Sequence, residues 1–318
     1  MDEAQILQAV QRMQVYIETN LNRKITLKEL ANAAGYSPWH AARLFKEVVG
    51  KAPFDYIRAL RLTEAALMLR DGEMKIVDVA MDFVFDSHEG FTRAFSREFG
   101  MAPSKYGRQT PPIQLFMPQK VFDTYQSMHK GEKKMSEKKM NEQQMNELQM
   151  NEQQNSRTVF VQVIERPARK LLLKRGVKAT DYFGYCEEVG CGIWSVLTSV
   201  KEALYEPIGM WLPKHLIREG TSQYVQGVEV PLDYANVIPD GYELIELPPS
   251  TMMVFQGEPY DDINFMAEIN AIWEHIKRFD PTVYGYQWEP EAAPRFQLIP
   301  MGYRGYIEAY PVKTINKI

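Results

Sequence analysis

Two cysteines in 318 residues leave no basis for a disulfide framework. Cys186 and Cys191 have no further Cys or nearby His to complete a zinc site, so no metal is expected, and both read as reduced thiols on a buried or half-buried helix. No apolar run approaches the ~20 residues of a membrane span. The start, MDEAQILQAV, lacks the basic and apolar regions of a signal peptide, so a cytoplasmic protein with no membrane partner is expected. Ser-His-Asp order, a phosphate-cradling glycine loop and a metal cluster are all missing, so no catalytic residue and no cofactor are expected. Hydrophobic residues make up 45% of the chain, enough to bury cores in two or three domains.

The net charge of -4 is unevenly spread. Residues 1–110 carry 15 Lys+Arg against 14 Asp+Glu, residues 111–156 carry 6 against 6, and residues 157–318 carry 16 against 21. A near-neutral first third gives no bulk electrostatic argument for nucleic acid, which rests on local clustering and geometry.

That geometry comes from a repeat. Arg43 to Tyr56 (RLFKEVVGKAPFDY) returns as Arg93 to Tyr106 (RAFSREFGMAPSKY), with Arg, Phe, Gly, Ala, Pro and Tyr in step. In the first copy Thr26 caps a helix over LKELANAA, Gly35 supplies the turn, and Ser37-Pro38 starts the next helix. Ala41, Leu44, Phe45 and Val48 fall on one face of that helix. Trp39, His40, Arg43 and Lys46 are left outward, where Arg43 suits guanine edges, Trp39 thymine methyls and Lys46 phosphate. In the second copy Lys75 to Phe83 is the positioning helix, and Ser87 caps a helix with Phe91, Ala94, Phe95 and Phe99 inward. His88, Glu89, Arg93 and Arg97 are outward, with His88 open to a structural reading as much as a base contact. Tyr56 to Leu69 reads as a rigid helical spacer followed by Gly72. Two helix-turn-helix units so joined would enter successive major grooves of double-stranded DNA, about 34 Å apart. Counted from Gly35 to Val84 the copies are one residue out of step, and their outward residues differ, which predicts an asymmetric site bound by one chain.

From about Leu7 to Gln109 the sequence resembles the DNA-binding domain of the AraC/XylS family, whose paired Gly-x-x-Pro motifs match Gly50-Lys51-Ala52-Pro53 with Tyr56 and Gly100-Met101-Ala102-Pro103 with Tyr106. The resemblance implies an all-α domain over 1–110 and base contact from Trp39, Arg43, His88, Glu89 and Arg93. One departure is Val84, where the family has glycine, so a strained turn and weaker reading by the second unit are expected.

Residues 111–156 read as a linker, low in complexity from about 130, where Met135, Met140, Met145 and Met150 recur every five positions. Five residues advance about 500° on a helix, so these methionines build no single stripe. A flexible polar linker is favoured over a solvated helical spacer. The segment 111–130 holds enough apolar side chains to pack somewhere.

Over 157–318 strands and helices alternate. Strands are expected at 158–164, 170–177, 208–212, 224–230, 244–247, 251–256, 282–287, 295–299 and 305–310, with helices at 182–204 and 263–279. This is an α+β sheet in duplicated halves, covered on one face and free for a ligand on the other. Aromatics with a carboxylate suit an amphipathic or cationic organic effector. Glu308 is the candidate carboxylate, with Trp211, Trp288, Tyr260, Tyr303 and Trp273 as candidate walls. Trp194 and Trp273 also read as ordinary core. Glu229 lies in a similar apolar pattern, and an outward orientation is the favoured reading for it.

This half resembles the GyrI-like effector-binding family through the helix INAIWEHIKRF and the ending YIEAYPVK. Related domains place a glutamate at the position of Glu308 toward the ligand. One residue fewer precedes Pro311 here, so a strand slip that reverses the side chain stays open. Together the two resemblances imply a bacterial transcription regulator and activator, not an enzyme, that binds DNA through 1–110, senses an effector through 157–318 and contacts RNA polymerase. The alternative is a hydrolase in which Glu308 works with Tyr303 or Tyr310.

Overall fold

A computed structural model describes residues 3–72, 74–118, 158–190, 192–261 and 265–315. The chain divides into two compact units, the first built on Met1–Met117 and the second on the chain from Pro118, apart from Ser199–Lys201, which group with the first. The methionine repeat and Cys191 lie outside the described residues.

Among the described residues the first unit is built of helices α1 (Glu3–Glu18), α2 (Leu27–Ala34), α3 (Pro38–Val49), α4 (Pro53–Asp71), α5 (Ile76–Asp82), α6 (His88–Phe99) and α7 (Pro103–Gln109). Thr26 and Glu29 close a reciprocal capping box on α2. Gly50 and Gly100 end α3 and α6, and Pro53 and Pro103 open the helices that follow. The repeat is thereby a helix stop, a two-residue step and a proline start, used twice.

Its aromatic pair is a clamp. Tyr56 is buried edge-on against Phe45 at 5.2 Å, and Tyr106 is buried against Phe95 at 5.7 Å. Two cores result. Tyr56, Ile57 and Leu60 of α4 belong to the first, with α1, α2 and α3, while Leu62, Ala65, Ala66 and Leu69 belong to the second, with α5 and α6. The spacer helix is therefore apolar on different sides along its length. The segment expected to open the linker packs here instead: Ile113 and Leu115 enter the second core, and Phe116 meets Tyr56 at 5.1 Å. Three packed apolar side chains, Ile113, Leu115 and Phe116, repay ordering that a polar linker cannot.

The second unit is a nine-stranded antiparallel sheet. Its strands are β1 (Val159–Arg166), β2 (Arg169–Arg175), β3 (Ile208–Trp211), β4 (Tyr224–Val230), β5 (Glu243–Leu247), β6 (Ser250–Gly257), β7 (Tyr286–Trp288), β8 (Arg295–Leu298) and β9 (Ile307–Thr314). Among the described residues its helices are α8 (Tyr182–Val189), α9 (Ile193–Thr198) and α10 (Phe265–Arg278). The order β1-β6-β9-β8-β3-β4-β2-β5 is symmetric about the β8/β3 contact. Register carries the duplication to residues. YVQGVEV of β4 and YIEAYPV ending in Val312 occupy equivalent places, so Tyr224 matches Tyr306 and Gln226 matches Glu308.

Three expectations change. The long helix over 182–204 is two short ones broken at Gly190, and 282–287 is a 3-10 turn over Pro281–Tyr284 before the three residues of β7. Nor is one sheet face open at the centre: Leu171, Leu172 and Leu173 are all buried, as is every residue of β4, so both faces there are covered.

Candidate functional site

The helices α3 and α6 each run twelve residues and start fifty apart. The extra residue of the second copy is absorbed before the cap, so in helix register Trp39 matches Glu89, Arg43 matches Arg93, and Glu47 matches Arg97. Ser87 caps α6 by accepting from Gly90 N at 3.0 Å, while Ser37 makes no such bond and relies on Pro38.

On α3, Trp39 is 70% exposed and the Arg43 guanidinium lies 5.1 Å from its ring centre. Glu47 is 3.7 Å from Arg43 Nε, a loose pair that leaves the guanidinium available. Lys46 is exposed, whereas His40 is half-buried with its ring edge-on to Tyr36 at 5.0 Å. On α6, His88, Glu89, Arg93 and Arg97 are all exposed. Each helix thus presents one arginine at the same position on a buried aromatic scaffold, with unlike neighbours.

In the second unit Glu308 is 0% exposed. It lies on the face covered by α10: Trp273 Nε1 donates to Oε2 at 2.6 Å, and the hydroxyls of Tyr306 and Tyr310 donate at 2.7 and 2.8 Å. The apolar seam of α10, Phe265, Ile269, Ile272 and Ile276, packs on the sheet and seats Trp273 there. Arg295 Nε is 2.7 Å from Oε1 as an ion pair, with its N–H off the line to that oxygen. Both carboxylate oxygens therefore have two partners.

Burial and then the Glu308 charge push the Tyr306 and Tyr310 phenols well above their ordinary range, holding both protonated as donors. Tyr306 also lies 2.9 Å from Gln297 Oε1. Its single proton goes to the charged acceptor, so the Gln297 amide is best turned with nitrogen toward Tyr306 and oxygen toward the Tyr224 hydroxyl 3.0 Å away. Gly209 permits this chain: a Cβ there would meet the Tyr224 oxygen at 2.0 Å.

Of the expected walls, Trp273 touches Glu308 directly, Trp211 reaches it through Arg295, and Trp288 packs on Tyr310 at 5.6 Å. Tyr260 packs against the same core, and Tyr303 is 77% exposed. Trp194 is buried core. Arg295, Gln297, Tyr306 and Tyr310 were absent from the expected walls. The alternation of RFQL and of YIEAY, polar on one face and apolar on the other, was the available signal.

Glu229 is a correction. It is 0% exposed and pairs with Arg166 and, at 2.6 Å, with Arg169 Nε, so it points inward as a structural ion triad.

Residues 30–109 match the helix-turn-helix domain family. The right origin-binding protein of Escherichia coli K12 is 37% identical over 137 residues, covering 40% of this chain and 46% of its own. The chain thus spans about half the length of that curated relative. The transposon Tn10 TetD protein of Escherichia coli is 45% identical over 94 residues, covering 30% of this chain and 68% of its own. The structure of SAV2435 bound to tetraphenylphosphonium aligns over 48% of this chain and 94% of that one, at 16% identity and a TM-score of 0.32. With its repeated motif folded as two helix-turn-helix units, the chain belongs to the AraC family of helix-turn-helix proteins.

Proposed function

We propose that the protein is a DNA-binding transcription regulator that senses an amphipathic or cationic organic small molecule through its second unit. The DNA half of this reading is carried by Arg43 and Arg93, exposed at matching positions of α3 and α6. Arginine there offers the bidentate fork that fits guanine, and Trp39 and Glu89 beside the two arginines select different neighbours. Selection of duplex sites from a random pool by the full chain should yield one asymmetric consensus covering two major-groove segments. A palindromic consensus, or none, would sink the two-helix reading.

The sensing half is supported by Glu308, a fully buried carboxylate on an aromatic floor where the equivalent strand of the duplicated sheet has the uncharged Gln226. A buried carboxylate is costly unless paired, and a cation framed by rings is the ligand it best complements. Titration of the full chain with the lipophilic cation tetraphenylphosphonium should show binding that Glu308→Gln weakens at least tenfold. Equal affinity in both chains removes Glu308 from the site. Binding of a lipophilic carboxylate and not of the cation makes the effector an amphipathic acid.

A further inference from the structure

Arg295 occupies the place that a cationic effector would take. Its guanidinium carbon lies 3.8 Å from the centre of the Trp211 ring and 5.0 Å from that of Tyr310, while Nε lies 2.7 Å from the Glu308 carboxylate. Two aromatic faces and a buried anion around one delocalised cation are the features by which proteins bind organic cations. Here the cation is part of the chain.

Three observations point past a plain structural ion pair. First, Glu308 is held by Trp273, Tyr306 and Tyr310 without Arg295, so the arginine is not needed to satisfy its oxygens. Second, Arg295 is less enclosed than a structural arginine: its side chain is 32% exposed and its Nε makes no aligned hydrogen bond, its side-chain partner being the Tyr310 hydroxyl. The Glu229 triad is the contrast, with Arg169 hydrogen-bonded to the carboxylate and to two backbone carbonyls and almost fully buried. Third, the duplication acts as an internal control. Where the equivalent strand has uncharged Gln226 in place of Glu308, the residue matching Arg295 is Pro207, so the carboxylate and the arginine occur in the same half and are missing from the same half.

We propose that Arg295 is a resident surrogate for the effector, which an organic cation must displace from the cage of Trp211, Tyr310 and Glu308. This rests on the sensing role given to Glu308 above. A cation wins only if its rings bury more apolar surface against Trp211 and Tyr310 than the arginine stem does. The cage thereby selects large lipophilic cations against small, strongly hydrated ones such as ammonium or lysine-like amines. On displacement the exposed outer part of Arg295 swings into water, which costs the guanidinium little.

The test uses the full chain and calorimetric titration with tetraphenylphosphonium. Arg295→Gln and Arg295→Met, the second keeping an apolar stem over Trp211, should each bind at least tenfold more tightly than the wild-type chain. Adding Glu308→Gln should abolish the gain. In the wild-type chain the same titration should move the Arg295 Nε–H resonance toward that of a solvated arginine, a reading independent of how the variants fold. If the wild type binds through Glu308 yet both variants bind equally or more weakly, or the resonance stays fixed through saturation, the surrogate role is wrong and the sensing role stands. If none of these chains binds the cation, both fall.

Discussion

Val84 stands at φ 58° where the equivalent turn of the first unit has Gly35 at φ 77°. The residue after each donates to the carbonyl five positions back, Phe85 to Ala80 and Tyr36 to Ala31, both at 3.0 Å. The two turns are therefore the same helix stop, and the expected distortion is stored as backbone strain in a β-branched residue.

Relieving that strain should stabilise the protein. Val84→Asn accepts the left-handed conformation and should raise the unfolding free energy by about 1 kcal/mol. Gly35→Val should lower it by about 1–2 kcal/mol, all of it backbone, because a Cβ at Gly35 meets nothing within 4 Å. Urea unfolding of both variants checks the pair; a loss in both would show that Val84 contributes through packing.

The twin tyrosines should respond differently to loss of the hydroxyl. Tyr56 OH accepts from Gln14 Nε2 at 3.3 Å, whereas the buried Tyr106 OH has no hydrogen-bond partner among the described residues. Tyr56→Phe should therefore cost about 0.5–1.5 kcal/mol, while Tyr106→Phe should be neutral or stabilising. Thermal melts that rank the two the other way would contradict the clamp's asymmetry.

Loss of either matched arginine should relax base preference at one end only of the bound site. Arg43→Ala and Arg93→Ala should each cost about 1–3 kcal/mol on the selected duplex. Lys46→Ala should instead weaken all sequences alike and lower the salt slope. Anisotropy on base-substituted duplexes separates these outcomes; unchanged preference in both arginine variants removes α3 and α6 as readers.

What the sequence disclosed was local. Caps, turns and the Phe45/Tyr56 clamp act over a few residues, so the repeat declared the helical unit and its outward faces. Asp280-Pro281 belonged to the same grammar and signalled the 3-10 turn, which the apolar residues after it disguised as strand. Glu229 could not be placed because strand alternation gives a face but not what waits there, and its partner Arg166 is 63 residues away. Arg295 escaped for the same reason: one exposed-looking arginine in a short strand becomes a caged cation only when β3 and β9 are laid on either side of β8.

The Glu229 triad sets the last prediction. Arg166 stacks over Tyr205 at 3.8 Å and Phe296 at 4.7 Å, and Arg169 also donates to Pro167 O and Pro248 O at 3.0 Å. Removing the carboxylate leaves two buried guanidinium groups facing each other, so Glu229→Gln should cost about 3–5 kcal/mol. Arg166→Met should cost less, because Glu229 keeps Arg169 and the methionine keeps the apolar contact with Tyr205 and Phe296. Trp194, Trp211, Trp273 and Trp288 all lie in the second unit, so tryptophan fluorescence during urea unfolding reports chiefly on it. Equal losses, or a larger one for Arg166→Met, would mean that the aromatic stacking and not the shared carboxylate holds the triad together.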